Sequence, residues 1–264
     1  MNQLPNYPII DSHCHLNFPD FSEDVEEVIT RAHAAGIRMM QTICTHMGEF
    51  ESIHALAMRH DSLVCSVGVH PHSADKEPLV EVAHLIECAS RPKVVGIGET
   101  GLDYYYEYSK REVQRESFRR HIAAARALQR PVIVHTRDAE EDTLRILEEE
   151  MAVGEFPILI HCFTSTQRLA DAVIAMGGYI SLSGIVTFKK ATELQETVRT
   201  LPIERVLIET DSPFLAPMPH RGKRNEPAFT RHVCAKVAEL QGITEEDCAR
   251  ITTDNFLRLF NFTL

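Results

Sequence analysis

Two histidines one residue apart close the first apolar run of the chain, Pro8-Ile9-Ile10-Asp11-Ser12-His13-Cys14-His15. A short run with β-branched residues predicts a buried strand. Side chains alternate along a strand, so His13 and His15 share one face and Cys14 takes the other. Neutral imidazoles held side by side can grip a transition-metal ion. An isolated His-x-His is more often two exposed loop histidines, so the rest of the chain decides between the readings.

The other apolar runs end in the same residue types. Glu99 follows the run 93–98, His135 follows 131–134 and His161 follows 157–160. Glu209-Thr210-Asp211 follows 205–208. Separate core-packing roles for all these groups would need a buried partner for each. Together, the imidazoles of His13, His15, His135 and His161 and the carboxylates of Glu99 and Asp211 make an inner shell for one or two divalent ions. A carboxylate such as Glu99 can bridge two ions, and ions about 3.5–4 Å apart can clamp both oxygens of a displacement. The chemistry this suggests is metal-assisted hydrolysis.

Eight repeated units position these groups. Strands are expected at 8–15, 37–44, 63–69, 93–98, 131–134, 157–160, 178–182 and 205–208. Helices are expected at 22–35, 49–59, 79–89, 110–129, 140–150, 167–176, 189–199, 226–240 and 244–260. Ser22 reads as the N-cap of the first helix and Gly36 as its stop. Short strands apolar on both faces and alternating with helices predict a parallel sheet covered by helices. Eight units, with no glycine-rich dinucleotide fingerprint after the first strand, predict an α/β fold of the (β/α)8 TIM-barrel type. It is expected as a single domain over residues 1–264, with catalytic groups at the C-terminal strand ends.

Composition sets outer bounds. With 264 residues and 44% hydrophobic content, the chain can bury one sizeable core. Lys+Arg 27 against Asp+Glu 38 leaves a net charge of -11, which argues against a broad non-specific nucleic-acid surface. Seven scattered cysteines without a Cys-x-x-Cys favour a reducing compartment, so the expected location is cytoplasmic. Residues 1–8 lack the apolar stretch of a signal peptide, and no apolar run is long enough to span a membrane. No obligate protein partner is evident.

The sequence resembles the TatD family of metal-dependent hydrolases, within the wider amidohydrolase-like barrels. The motifs are Asp11-Ser12-His13-Cys14-His15, Gly68-Val69-His70-Pro71, Gly96-Ile97-Gly98-Glu99-Thr100-Gly101-Leu102-Asp103 and Pro131-Val132-Ile133-Val134-His135-Thr136-Arg137. They continue with Ile160-His161-Cys162-Phe163, Ser181-Leu182-Ser183-Gly184, Glu209-Thr210-Asp211-Ser212-Pro213 and Arg221-Gly222-Lys223-Arg224-Asn225-Glu226-Pro227. The resemblance implies a two-metal site, with His13, His15, Glu99 and Asp211 on one ion and Glu99, His135 and His161 on the other. It also implies deoxyribonuclease action on DNA ends, including removal of nucleotides from 3′ ends, with Mg²⁺ or Mn²⁺. Histidine-rich ligation by itself would point to Zn²⁺.

For a phosphodiester, Asp211 could orient a water and take its proton, and Glu209, on the same face, is the second catalytic candidate. Orienting a neighbour is the preferred role for Glu209. His70, at the third strand's end, is expected to donate to a phosphate oxygen, and Arg137 and Arg221 are the other expected substrate contacts, because guanidinium forks match phosphate geometry. Arg224 is a weaker candidate, His72 reads as a loop residue, and Asp11 and Asp103 read as structural or supporting. Tyr104, Tyr105 and Tyr106 could stack a base or pack a lid. Cys14 and Cys162 are expected to face away by alternation. The alternatives are a hydrolase of a small cyclic amide, lactone or phosphodiester, or a non-catalytic barrel kept for protein binding.

Overall fold

Eight parallel strands, paired in chain order, run through the computed structural model, which describes residues 7–76 and 78–263. They are β1 (Ile9–Cys14), β2 (Ile37–Thr42), β3 (Leu63–Val67), β4 (Val94–Asp103), β5 (Val132–Arg137), β6 (Ile158–Ile160), β7 (Tyr179–Leu182) and β8 (Val206–Ile208). The helices among the described residues are α1 (Val25–Ala34), α2 (Phe50–Arg59), α3 (Val82–Ala89), α4 (Arg111–Leu128), α5 (Glu140–Val153), α6 (Gln167–Ala175), α7 (Thr192–Thr200), α8 (Thr230–Gln241) and α9 (Glu245–Leu259). This is the expected α/β barrel in one domain. The reading of residues 1–8 falls outside the described residues up to position 6. No described helix is long and apolar enough to cross a membrane.

Closure is made just beyond β8. The Asp211 N–H donates to His13 O at 2.9 Å and the His15 N–H to Ser212 O at 2.8 Å. Asp11 clips the two strand ends together, accepting from Thr210 N at 2.9 Å and Thr210 Oγ1 at 2.6 Å. Two apolar layers result. Outward residues such as Ile9, Ile97 and Val134 pack under the helices. Inward residues such as Ile10, Val64, Ile133 and Leu207 fill the lumen, which Phe256, Leu259 and Phe260 of the α9 end plug from below. The polar groups are left the upper end.

Register irregularities re-aim them. The β1–β2 pairing shifts between Asp11 and Cys14, so the strand changes parity after Ile10 and turns His13 inward while Cys14 joins the outer layer. β4 was expected to stop at Gly98, yet it continues to Asp103 through a shift between Ile97 and Thr100. Gly101 makes this possible. Its φ is +126°, and a Cβ there would stand 2.1 Å from His135 O.

Other boundaries move for local reasons. Ser22 donates its Oγ to Pro19 O in the preceding 3-10 turn, and Asp24 occupies the N-cap position of α1. Pro227 opens a short 3-10 turn, which delays α8 to Thr230. Thr244 caps α9 as its position suggests, accepting from Asp247 N at 3.0 Å.

Candidate metal centre

The carboxylate of Glu99 sits at the middle of the upper end, ringed by five imidazoles. His161 Nε2 is 2.7 Å, His135 Nδ1 3.1 Å and His70 Nε2 3.3 Å from Oε1. His13 Nε2 is 3.4 Å and His15 Nε2 4.0 Å from Oε2. Asp211 Oδ1 completes the group, 3.2 Å from His15 Nε2 and 3.6 Å from His13 Nε2. All six expected ligands are therefore brought together. His70, expected at the substrate, lines the cavity above the centre and also aims its Nε2 at the same Glu99 oxygen as His135 and His161.

Local backbone explains the aim of Asp211. Its φ of +56° lies in the left-handed region, which costs a non-glycine residue on the order of 1 kcal/mol. The closing bond to His13 O and the Phe214 N–H donated to Asp211 O at 3.0 Å hold it there. Cys162 also departs from alternation. With φ +45° just past β6, it lines the cavity instead of facing away, its Sγ 3.1 Å from Ser183 Oγ.

The donor set fits divalent cations. Nδ1 of His13 and of His15 are buried without a hydrogen-bond partner among the described residues, and His13 Nε2 and both nitrogens of His161 approach carboxylate oxygens without hydrogen-bond geometry. Unpartnered buried nitrogens beside ionised carboxylates are what a cation would satisfy. Three sets of ligand atoms each lie within 4.8 Å of one another: His13, His15 and Asp211; His13, Glu99 and His161; His70, Glu99 and His135.

Electrostatics point the same way. Burial disfavours a charged Glu99, yet the imidazoles of His161, His70, His13 and His135 outweigh it and hold its carboxyl well below the usual range. Asp211 is likewise held down, against its own burial, by His15 and His13. Burial drives His70 down to about 4, keeping it a neutral donor of a lone pair. His161 is pushed the other way, because Glu99 and Glu209 overcome its burial.

A supporting layer orients the ring. Glu209 is fully buried, accepts from Ser181 Oγ and lies 3.4 Å from His161 Nδ1. It is off the cavity wall and beside a ligand ring, the position that the preferred orienting role calls for. Asp103 holds His135 and His72 through Oδ2 and the N–H groups of Tyr105 and Tyr106 through Oδ1. Gln114 pins the Asp103 backbone in both directions. Asp11, pushed up to about 8 by burial, is confined to barrel closure.

Above the centre opens a cavity of about 770 Å³. Arg137 stands on its wall with its guanidinium 4.0 Å from the Tyr105 ring centroid. Arg221 is exposed, packs 4.4 Å over Phe188 and does not line the cavity, so its expected phosphate contact is not supported by position. Arg224 is tied to Asp24 and Asp20 O. Residue-type reasoning passed over Phe18, Phe214 and Tyr108 and discounted His72. All four are on the wall. The available signal was their place within a few residues of a strand end.

The sequence model of a family described as TatD related DNase matches residues 10–261. The uncharacterized metal-dependent hydrolase YcfH of Escherichia coli strain K12 is 44% identical over 256 residues, covering 96% of each chain. The 3′-5′ ssDNA/RNA exonuclease TatD of Escherichia fergusonii is 33% identical over 261 residues, covering 97% of this chain and 100% of that protein. Among solved structures, YJJV, a TatD homolog from Escherichia coli K12, superposes with a TM-score of 0.90 at 28% identity. That match covers 97% of this chain and 98% of the other.

Proposed function

The chain belongs to the TatD family of metal-dependent hydrolases, and on that premise we propose that it is a 3′–5′ exonuclease trimming nucleic-acid ends with two divalent ions. The observation that carries the reading is the Glu99 carboxylate, whose two oxygens face different imidazole sets. The relative named as an ssDNA/RNA exonuclease supports the substrate class and the polarity.

His13, His15 and Asp211 would hold one ion with Glu99 Oε2, and His135 and His161 the other with Glu99 Oε1. His70 is a further nitrogen on that second side. Mg²⁺ or Mn²⁺ suits the reaction, and Zn²⁺ suits the imidazoles. When bound, such ions neutralise charge on the phosphoryl group and acidify water at neutral pH. The protein's own groups do the rest. Asp211, kept ionised and facing the cavity, takes the proton of the attacking water. Arg137 on the wall offers a fork to a phosphate oxygen. The seven free cysteines suit the reducing cytoplasm.

One observation favours a second reading, a small phosphodiester. A groove of about 790 Å³ shares Thr136, Arg137 and Thr164 with the cavity and carries Glu140, Glu141, Asp142 and Glu193. Arg168 pairs with Glu141, and Arg115 and Arg145 with Asp142, but the remaining charge of Glu140 and Glu193 disfavours a polyanion on this side.

The test uses metal-stripped protein with Mg²⁺, Mn²⁺ or Zn²⁺ restored singly, on single-stranded DNA labelled at either end, with Asp211→Asn in parallel. Stepwise shortening from the 3′ end that needs metal and disappears in the variant is expected. Turnover of small phosphodiesters with intact DNA would replace the nuclease reading by the second one.

A further inference from the structure

The cavity wall carries exposed aromatic rings on two sides of the metal centre. Tyr106 and Tyr108, in the loop after β4, are 42% and 55% exposed and stack at 5.2 Å with an 8° interplanar angle. Phe214, after β8, is 52% exposed and meets Phe18, after β1, edge to face at 6.0 Å. In an eight-stranded ring the β4 loop and the β8–β1 loops lie across the mouth from one another. The six ligands therefore stand between two aromatic walls.

These rings cover no core of their own. Exposed rings of this kind at a cavity mouth mark binding surface. The first wall is stiffened, since Asp103 accepts from Tyr106 N and the His72 ring meets Tyr106 and Tyr108 edge-on at 5.3 and 4.9 Å. It is also cationic, with Arg137 4.8 Å over Tyr106 and Lys76 5.3 Å over Tyr108. Flat apolar faces beside positive charge match one ligand chemistry, an unpaired nucleotide.

Resting on the nucleic-acid reading above, we propose that the two walls take the unpaired bases on either side of the scissile phosphate, Phe214 receiving one and the Tyr106–Tyr108 pair the other. A paired end cannot present its bases to two separate walls, so the site selects single-stranded or frayed ends. As a base occupies the tyrosine wall, Arg137 exchanges its ring for the phosphate.

The test is equilibrium binding of oligothymidylates whose terminal linkages are phosphorothioate, with the last two bases intact or with an abasic residue at either of those positions. Each abasic strand should bind the wild-type protein roughly tenfold to a hundredfold more weakly than the intact one. Phe214→Leu should abolish sensitivity to one position only, and the Tyr106→Leu, Tyr108→Leu double variant sensitivity to the other only. Phe214→Tyr and Tyr106→Phe should retain the wild-type pattern. Metal content, measured on each variant, should match wild type. Equal binding of all three strands, or loss of both sensitivities in either variant, overturns the proposal. If equal binding accompanies shortening of the unmodified strand, the nuclease reading stands and only the walls fall. If the strands are neither bound nor shortened, both fall.

Discussion

Oδ2 of Asp103 lies 3.1 Å from Nε2 of His135, on the side of the ring away from Glu99, which meets Nδ1 at 3.1 Å. One carboxylate oxygen thus fixes the tautomer, with the proton on Nε2 and the lone pair of Nδ1 aimed at the centre. The same oxygen holds His72 at 2.7 Å, while Oδ1 holds the tyrosine loop. Ligand orientation and cavity wall share a support.

Asp103→Asn keeps the loop acceptor and presents an amide donor to the imidazoles. Metal affinity should fall by roughly tenfold to a hundredfold with the fold retained. Chelator-competition titration beside circular dichroism measures both. Unchanged affinity would mean that His135 is oriented by packing alone.

The two arginines preferred by residue type, ahead of Arg224, occupy different places, Arg137 on the cavity wall and Arg221 off it. Arg137→Ala should raise KM for a single-stranded oligonucleotide by roughly tenfold, the loss of one charge-assisted contact. Arg221→Ala should change it by less than about twofold. Steady-state kinetics on the two variants separates them, and the reverse order would put the phosphate path over the last loop.

Metal removal should cost stability as well as activity. The buried Nδ1 atoms of His13 and His15 have no hydrogen-bond partner among the described residues, and a cation binds only the folded arrangement. Stripping a saturated protein should lower Tm by on the order of 5–10 °C. Calorimetry before and after chelation, with re-addition of Mn²⁺ as the control, reads this directly. A Tm indifferent to metal would remove the ions from the fold.

His121 supplies an acid-sensitive element apart from the ligand ring. It is fully buried, with Nδ1 2.7 Å from Ser117 O and Nε2 accepting from Val69 N at 3.0 Å. Burial lowers it from 6.5 to about 4. The unfolded chain binds the proton first, so this residue's contribution is complete above about pH 6.5. It falls as pH drops through that value and levels off below about 4. The loss at pH 5 is about 2 kcal/mol. Urea unfolding at pH 7.5 and pH 5 should show a smaller acid loss in His121→Gln by that amount. Equal losses in both proteins would deny His121 the role.

Much of the site could be read from residue types at strand ends. His13, His15, Glu99, His135, His161 and Asp211 follow apolar runs whose period and spacing announce a barrel, and all six meet. Glu209 and Arg221 were read from type and neighbourhood as well, and type does not report depth. Glu209 proved fully buried behind His161, and Arg221 lies on an exposed turn. Cys162 shows the limit of alternation, which lapses at a left-handed residue past a strand end just as it does at the register shift inside β1.

By itself, the chain's pattern determined the alternating strands and helices, the barrel class and the groups that share its upper end, because burial period and residue chemistry are local properties. Only the tertiary structure decided that β4 runs on past Glu99, that Asp103 stands behind His135 and that Phe214 faces the Tyr106–Tyr108 wall across the mouth. Those relationships join residues distant in sequence. They are set by strand register, by the backbone approach that Gly101 permits beside His135, and by barrel closure at Asp211 and Ser212, none of which a local pattern contains.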